Sequence, residues 1–245
     1  MKKTAVLIVA ILALVLPVFS SAQSFTLNTK VFSRYLGQNG GIFHDSPVIQ
    51  TDLWAEWNSG VYADIWWSIP ADMSNFHDGF ANEIDYNLGW AGSVGGFNLD
   101  LGLLYIDVSP LVNVYNDFYS PYGEIGKSFD IAGETIIPYF RIEYYDNADP
   151  SKTDNMEGGT WIYLGARHQL KISQSTTIST NIRALHDGGA FGQKTGWLGQ
   201  VFLTAKNKIS PKVTLLSDFK FSAPFDSNDP RNPETIVGIG ISYSF

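Results

Sequence analysis

The chain has no cysteine, so it has no disulfide framework and no cysteine behind a leader to carry a lipid anchor. Charge is sparse, at 16% of residues, and leans acidic, with 16 Lys and Arg against 24 Asp and Glu. That balance lacks the basic footprint that nucleic acid or another polyanion requires, so no nucleic-acid partner is expected. Long apolar runs are also missing. The one continuous run, residues 5–19, falls short of the ~20 residues a membrane-spanning helix needs. Sustained helical periodicity, a fixed-period repeat and a low-complexity linker are absent, which points to a single domain.

The short apolar run has its own meaning. Lys2 and Lys3 precede it and Ser20, Ser21 and Ala22 follow it, the layout of a secretory leader cut after small residues. Residues 1–22 are therefore expected to be removed, leaving 23–245 as the folded unit. Loss of Lys2 and Lys3 takes the net charge from −8 to −10.

What remains alternates. About twelve segments place large apolar residues on one face and polar or small ones on the other. In "PVIQTDLWAEW" the faces are Ile49, Leu53, Ala55 and Trp57 against Gln50, Asp52 and Glu56. In "FNLDLGLLYID" the apolar face is Phe97, Leu99, Leu101, Leu103 and Tyr105. The last segment, "TIVGIGISYSF", sets Val237, Ile239, Ile241, Tyr243 and Phe245 against Gly238, Gly240, Ser242 and Ser244. Two segments are imperfect. Pro138 inside the seventh implies a bulge, and Lys127 falls on the apolar face of the sixth, around residues 120–131.

The connections alternate between short and long. Short turns fall near residues 58–60, 91–96, 132–134, 173–175 and 207–211. Longer polar loops fall near 38–46, 70–81, 108–119, 146–159, 187–195 and 222–234. Both termini lie on the short-turn side. This is the pattern of an all-β, transmembrane, antiparallel up-and-down barrel of the Gram-negative outer membrane, with periplasmic turns and extracellular loops. Aromatics near segment ends (Tyr35, Trp57, Trp67, Trp90, Tyr144, Trp197, Phe221, Tyr243 and Phe245) fit interfacial girdles. A secreted sandwich is the rival, but it would carry charge on its edge strands.

If the apolar faces meet outer-membrane lipid, the polar faces line the lumen. The inward acids are Asp52, Glu56, Asp64, Glu83, Asp85 and Asp100, all on the second to fifth strands. The inward bases are Lys30, Arg34, Arg141, Arg167, Arg183, Lys206 and Lys220, on the first and the seventh to eleventh; Glu143 and Asp218 are exceptions on that side. An acidic wall facing a basic one would set a transverse field across a narrow water-filled passage for small solutes. A salt-bridge network that fills the barrel is the structural alternative, since twelve strands lie between filled and open barrels. Trp54, Trp66 and Trp161, also inward, would narrow the passage. The final strand must pair with the first to remove the sheet edges, and Tyr243 and Phe245 would then serve as the signal handed to the β-barrel insertion machinery.

Three histidines precede aspartate: His44-Asp45, His77-Asp78 and His186-Asp187. Such pairs can orient an imidazole for general-base work or hold a metal. No serine sits in a nucleophile motif and no paired acids accompany them, so neither an enzyme nor a metal or cofactor site is expected. "GQNGG" (residues 37–41) precedes no helix and reads as a flexible loop rather than a phosphate cradle. A second class of function is a non-conducting barrel that binds a ligand or partner through loop aromatics such as Phe43, Phe76, Phe118 and Tyr119. An outer-membrane hydrolase with the histidines at its rim is a third.

One stretch carries a family likeness. "SRYLGQNGG" followed by "PVIQTDLWAEWNSGVYADIWWS" resembles the first hairpins of the TorF-type porins of proteobacteria, at Ser33, Arg34, Gln50, Ser59-Gly60, Tyr62, Trp66 and Ser68. The likeness covers roughly the first quarter of the chain. It implies an outer-membrane barrel that conducts solutes and carries over no substrate or catalytic residue.

Overall fold

The computed structural model describes residues 23–72, 82–108, 117–131, 133–148 and 158–245. Alternation of β-branched and aromatic residues with small or polar ones produces strands throughout. They are β1 (Ser24–Phe32), β2 (Tyr35–Leu36), β3 (Ile42–His44), β4 (Val48–Glu56), β5 (Val61–Pro70), β6 (Glu83–Val94), β7 (Phe97–Val108) and β8 (Phe118–Gly126). There follow β9 (Phe129–Ile131), β10 (Glu134–Asn147), β11 (Gly159–Lys171), β12 (Thr176–Asp187), β13 (Gly196–Lys208), β14 (Val213–Pro224) and β15 (Glu234–Ser244). Twelve of them form one closed antiparallel barrel, in which each strand pairs with its neighbours along the chain and β15 returns to β1.

The seam is continuous from Phe32 opposite Gly238 to Thr26 opposite Ser244. Phe245 extends it by donating its N–H to the carbonyl of Phe25 at 3.0 Å, with the two rings 4.9 Å apart. No backbone edge is left along the seam, as closure demands. At the short-turn end, β6 and β7 meet through Gly95 and Gly96, with φ of 60° and 80°. Two successive left-handed residues make the tight hairpin turn that matches strand twist.

The outer and inner faces are inverted relative to a soluble protein. Leu88, Leu101, Leu103, Leu164, Ile182, Val237 and Ile239 all stand exposed, Ile239 at 70%, while Gln50, Glu83, Glu124, Glu143 and Gln200 are buried on the inner face. A water-soluble sandwich would show the reverse.

Pro138 makes no bulge. β10 pairs with β8 from Asn147–Phe118 to Tyr139–Gly126 and resumes with β9 at Ile136–Phe129 in the same register. β8 and β9 are thus one strand whose ladder lapses opposite a residue with no N–H to give. The Pro138 carbonyl still accepts from Lys127 at 3.1 Å. Lys127 points outward as its register requires and lies over the rings of Phe97 and Phe129, 5.4 and 5.6 Å from their centroids.

The first strand also stops sooner than its pattern predicts. β1 ends at Phe32, and residues 33–47 leave the wall as a loop holding the short β2–β3 hairpin. Phe118 and Tyr119, expected in a loop, belong to β8: Phe118 is fully buried inside and Tyr119 faces out.

Candidate functional site

The barrel interior is organised around glycines. A Cβ on Gly89, Gly102, Gly165 or Gly238 would collide with the ring of Tyr62, Tyr122, Tyr139 or Phe32 respectively. Each ring therefore lies flat against a neighbouring strand, a fit only glycine allows. Cations then rest on the rings. Arg141 lies 4.0 Å from the Tyr122 centroid and Arg167 lies 4.1 Å from that of Tyr139. Lys220 sits 4.2 Å from Phe32, and Arg183 is held between Tyr163 and Phe202 at 4.5 and 4.6 Å. Trp54 stacks on Tyr62 at 4.5 Å. An aromatic face can hold a guanidinium or ammonium group in place without cancelling its charge.

Some inner charges are cancelled along the wall. Both terminal nitrogens of Arg167 reach the two carboxylate oxygens of Glu124 at 2.5 Å. Arg141 donates to Glu143 at 2.6 Å and lies 3.6 Å from Asp100 and 3.9 Å from Glu124. Asp100 also accepts from Tyr62 at 2.6 Å, Tyr62 bonds Tyr122, and Tyr122 donates to Asn87 at 2.9 Å. Glu143 further accepts from Tyr145 and Tyr163 at 2.6 and 3.0 Å. On the far side, Lys30 reaches across the glycines of β15 to Asp218 at 3.1 Å, and Thr204 donates to the same carboxylate at 2.6 Å.

This pairing redraws the two walls. All the predicted residues except Arg34 fall on the inner face by register. Asp100, Arg141, Arg167 and Lys30, however, are neutralised by close neighbours rather than facing one another across open space. Arg34 has left the barrel wall with the first loop, where it bonds Glu234 at 2.8 Å and Asp45 at 3.2 Å. Both carboxylates hold its guanidinium pKa above the ordinary arginine value, with Asp45 the larger influence. Glu124 joins the lumen acids opposite Arg141 and Asp100, a face that Lys127 three residues later obscures in the sequence.

Among the described residues, no Lys or Arg forms an ion pair with Asp52, Asp64, Glu83 or Asp85, and no carboxylate does so with Arg183, Lys206 or Lys220. Asp64, Glu83 and Asp85 each keep a buried oxygen without a hydrogen-bond partner. The uncompensated acids occupy β4–β6 and the uncompensated bases β12–β14, nearly opposite in a ring of twelve. Glu56 stands exposed at the short-turn rim, lining a recess of about 570 Å³ with Gln23, Ser24 and Trp57.

The two ends of the interior differ. Towards the short turns a cavity of about 410 Å³ is lined by Asn28, Lys30, Ser179, Thr204, Lys206 and Ser242. Towards the long loops the inner face is packed with aromatics. Tyr145, Trp161, Phe118 and Phe191 cluster with Leu185 and Leu198, and Phe32, Tyr35, Leu36, Val48 and Ile236 form a second cluster. Of the tryptophans expected inside, Trp161 belongs to the first cluster and Trp66 packs against the second.

The His–Asp pairs are split. His186 turns out against Trp197, ring centroids 5.0 Å apart, while Asp187 turns in to Arg231 at 2.9 Å. Alternation sends adjacent strand residues to opposite faces. His44 lies in β3 with its Nε2 buried and unpartnered, and Asp45 bonds Arg34. His77-Asp78 and Phe76 lie outside the described residues. No three His, Cys, Asp or Glu among the described residues converge to hold a metal.

No protein-family model matches the chain, and no curated protein matches it by sequence. Its fold, however, is that of solved outer-membrane porins. The NanC porin is 13% identical with a TM-score of 0.58, over 89% of this chain and 98% of that one. An outer-membrane channel from Pseudomonas putida F1 is 9% identical with a TM-score of 0.57, over 91% and 96%. The KdgM porin, solved with disordered oligogalacturonate, is 9% identical with a TM-score of 0.55, over 91% and 99%.

Proposed function

We propose that this chain is a passive outer-membrane channel for small polar solutes, with a narrow lumen polarised between an acidic and a basic wall. The observation that carries the reading is the set of inner ionisable side chains that form no ion pair among the described residues: Asp52, Asp64, Glu83 and Asp85 against Arg183, Lys206 and Lys220. A barrel filled only for rigidity is better served by apolar side chains, because an uncompensated buried charge costs several kcal/mol. Charges retained in this way are suited to water and passing solutes, and the transverse field between them orients polar molecules. The exposed apolar belt suits outer-membrane lipid, with the short turns in the periplasm and the long loops outside. In this reading residues 1–22 are the cleaved leader, and membership of the TorF-type porins is the family assignment that the first hairpins favour. Tyr243 and Phe245, set against Phe25 at the seam, present the aromatic ending to the insertion machinery.

Planar-bilayer recording in a salt gradient tests the field. Arg183→Gln should lower the anion-to-cation permeability ratio and Asp85→Asn should raise it, each by about two- to threefold. A ratio that neither substitution moves would count against a polarised lumen.

A further inference from the structure

The first loop, residues 33–47, does not stand above the barrel. Tyr35, Leu36 and Asn39 are buried, Asn39 completely, and the loop is fastened to the inner wall at widely separated points. Tyr35 donates to Glu83 on β6 at 3.1 Å. The Gln38 carbonyl accepts from Gln200 on β13 at 2.7 Å, and the Gln38 side chain accepts from Tyr163 on β11 at 3.4 Å. From β1, β6 lies three strands away in one direction and β11 five strands away in the other. The loop therefore bridges the lumen.

Its tip is held in shape as well as in place. Gly37 donates to the Gly41 carbonyl at 2.8 Å, and Asn39 Oδ1 accepts from Gly41 at 3.1 Å. Gly40, at φ 79°, packs so closely that a Cβ there would lie 2.6 Å from atoms of both Leu198 and Ser222. The last loop, residues 225–233, braces the tip from outside. Arg231 donates to the Asn39 carbonyl at 3.3 Å while gripping Asp229 and Asp187 at 2.6 and 2.9 Å. The Gly-rich tip read from sequence as a flexible loop is packed here against β13, β14 and the last loop, where glycine permits the close approach.

We propose that residues 33–47 are the constriction element of this barrel and set the size limit for solutes entering from the long-loop end. This rests on the channel reading above. A bridge pinned to both sides of the lumen and packed against inner aromatics narrows the cross-section at that level whatever the width below. On the short-turn side of it lies the cavity of about 410 Å³ lined by Lys30, Lys206 and several hydroxyls.

Two variants test it. Deleting residues 38–40 joins Gly37 to Gly41 between Leu36 and Ile42, which already pair, and leaves a two-residue Gly-Gly hairpin. The other variant is Gly40→Cys with Ser222→Cys, the only thiols in the chain. A Cβ at Gly40 would lie 3.5 Å from that of Ser222, within disulfide reach. Folding of each is checked by β-sheet circular dichroism and heat-modifiable migration, with the reduced form as control for strain at Gly40. The deletion should raise single-channel conductance at least about twofold and admit larger sugars into liposomes. The oxidised pair should conduct like its reduced form, because the loop is already in place. A silent parent with a conducting deletion also supports the proposal, as a constriction narrow enough to block. Unchanged conductance in a folded deletion overturns it, and a large loss on oxidation replaces the fixed element with a moving gate. Silence of both parent and deletion overturns the channel reading itself.

Discussion

Gly102 shows how a residue can act through the side chain it lacks. Tyr122 lies across it, Arg141 lies on Tyr122, and Arg141 carries the contacts to Glu143 and Asp100. Gly102→Ala therefore lifts the ring from the wall and moves the whole stack towards the lumen. Overpacking of this kind should cost about 1–3 kcal/mol, read as a lower urea midpoint for unfolding from detergent micelles. Stability equal to the parent would show that Tyr122 has somewhere else to go. The alternation in sequence identifies Gly102 as an inner residue. It says nothing of Tyr122, because a cross-strand ring contact depends on register between strands joined by a long loop.

At the scale of elements, the last loop and the first depend on each other through Arg231. Asp229 is the carboxylate in that bracket that lies outside the strands, and its two-point bond with Arg231 holds its pKa below the usual carboxylate value. A carboxylate depressed by folding stabilises fully above the unfolded pKa of about 4, and the contribution fades as pH falls through the lower folded value. The parent should thus melt at a higher temperature than Asp229→Asn at pH 7. That gap should persist down to about pH 4 and close below it. A gap that is absent at pH 7, or that survives in strong acid, would mean that the charge on Asp229 does not hold the bracket. Strand faces were legible in sequence even for the irregular segments: Lys127 is outward, as its place in the pattern says. The lapse at Pro138 was legible as a fault in the ladder but not as one that spares the register. Whether a missing N–H bends a strand depends on the strand beside it. The end of β1 was not legible, because Arg34 and Tyr35 continue its alternation perfectly. They leave the wall because Tyr35 finds Phe43, Trp66 and Glu83 inside the barrel.

For the whole molecule, closure is the decisive event, since one unpaired edge in hydrocarbon exposes a row of backbone donors and acceptors. Phe245 lies at the end of that seam, tied to Phe25 by backbone and ring. Deleting it should reduce the amount of protein assembled in the outer membrane severalfold. The conductance of the molecules that do assemble should be unchanged, because Phe245 is remote from the first loop and from the uncompensated charges. Normal assembly levels would remove the aromatic ending from the insertion signal, and altered conductance would show that the seam shapes the lumen.

The sequence by itself determined the architecture. A period of two repeated through twelve segments, with large apolar residues on one side, leaves a closed barrel as the arrangement that satisfies both the side chains and the backbone. Pleat alternation is a local property, so it also determined which strand charges face inward, apart from Arg34, which leaves the wall with the first loop, and Glu124, whose face Lys127 obscures. Only the tertiary structure decided which of those charges cancel and where the first loop crosses the interior. Arg167 meets Glu124 across an intervening strand, and the first loop reaches from β6 to β11. Both are contacts between distant parts of the chain, set by curvature, stagger and packing that no single strand encodes.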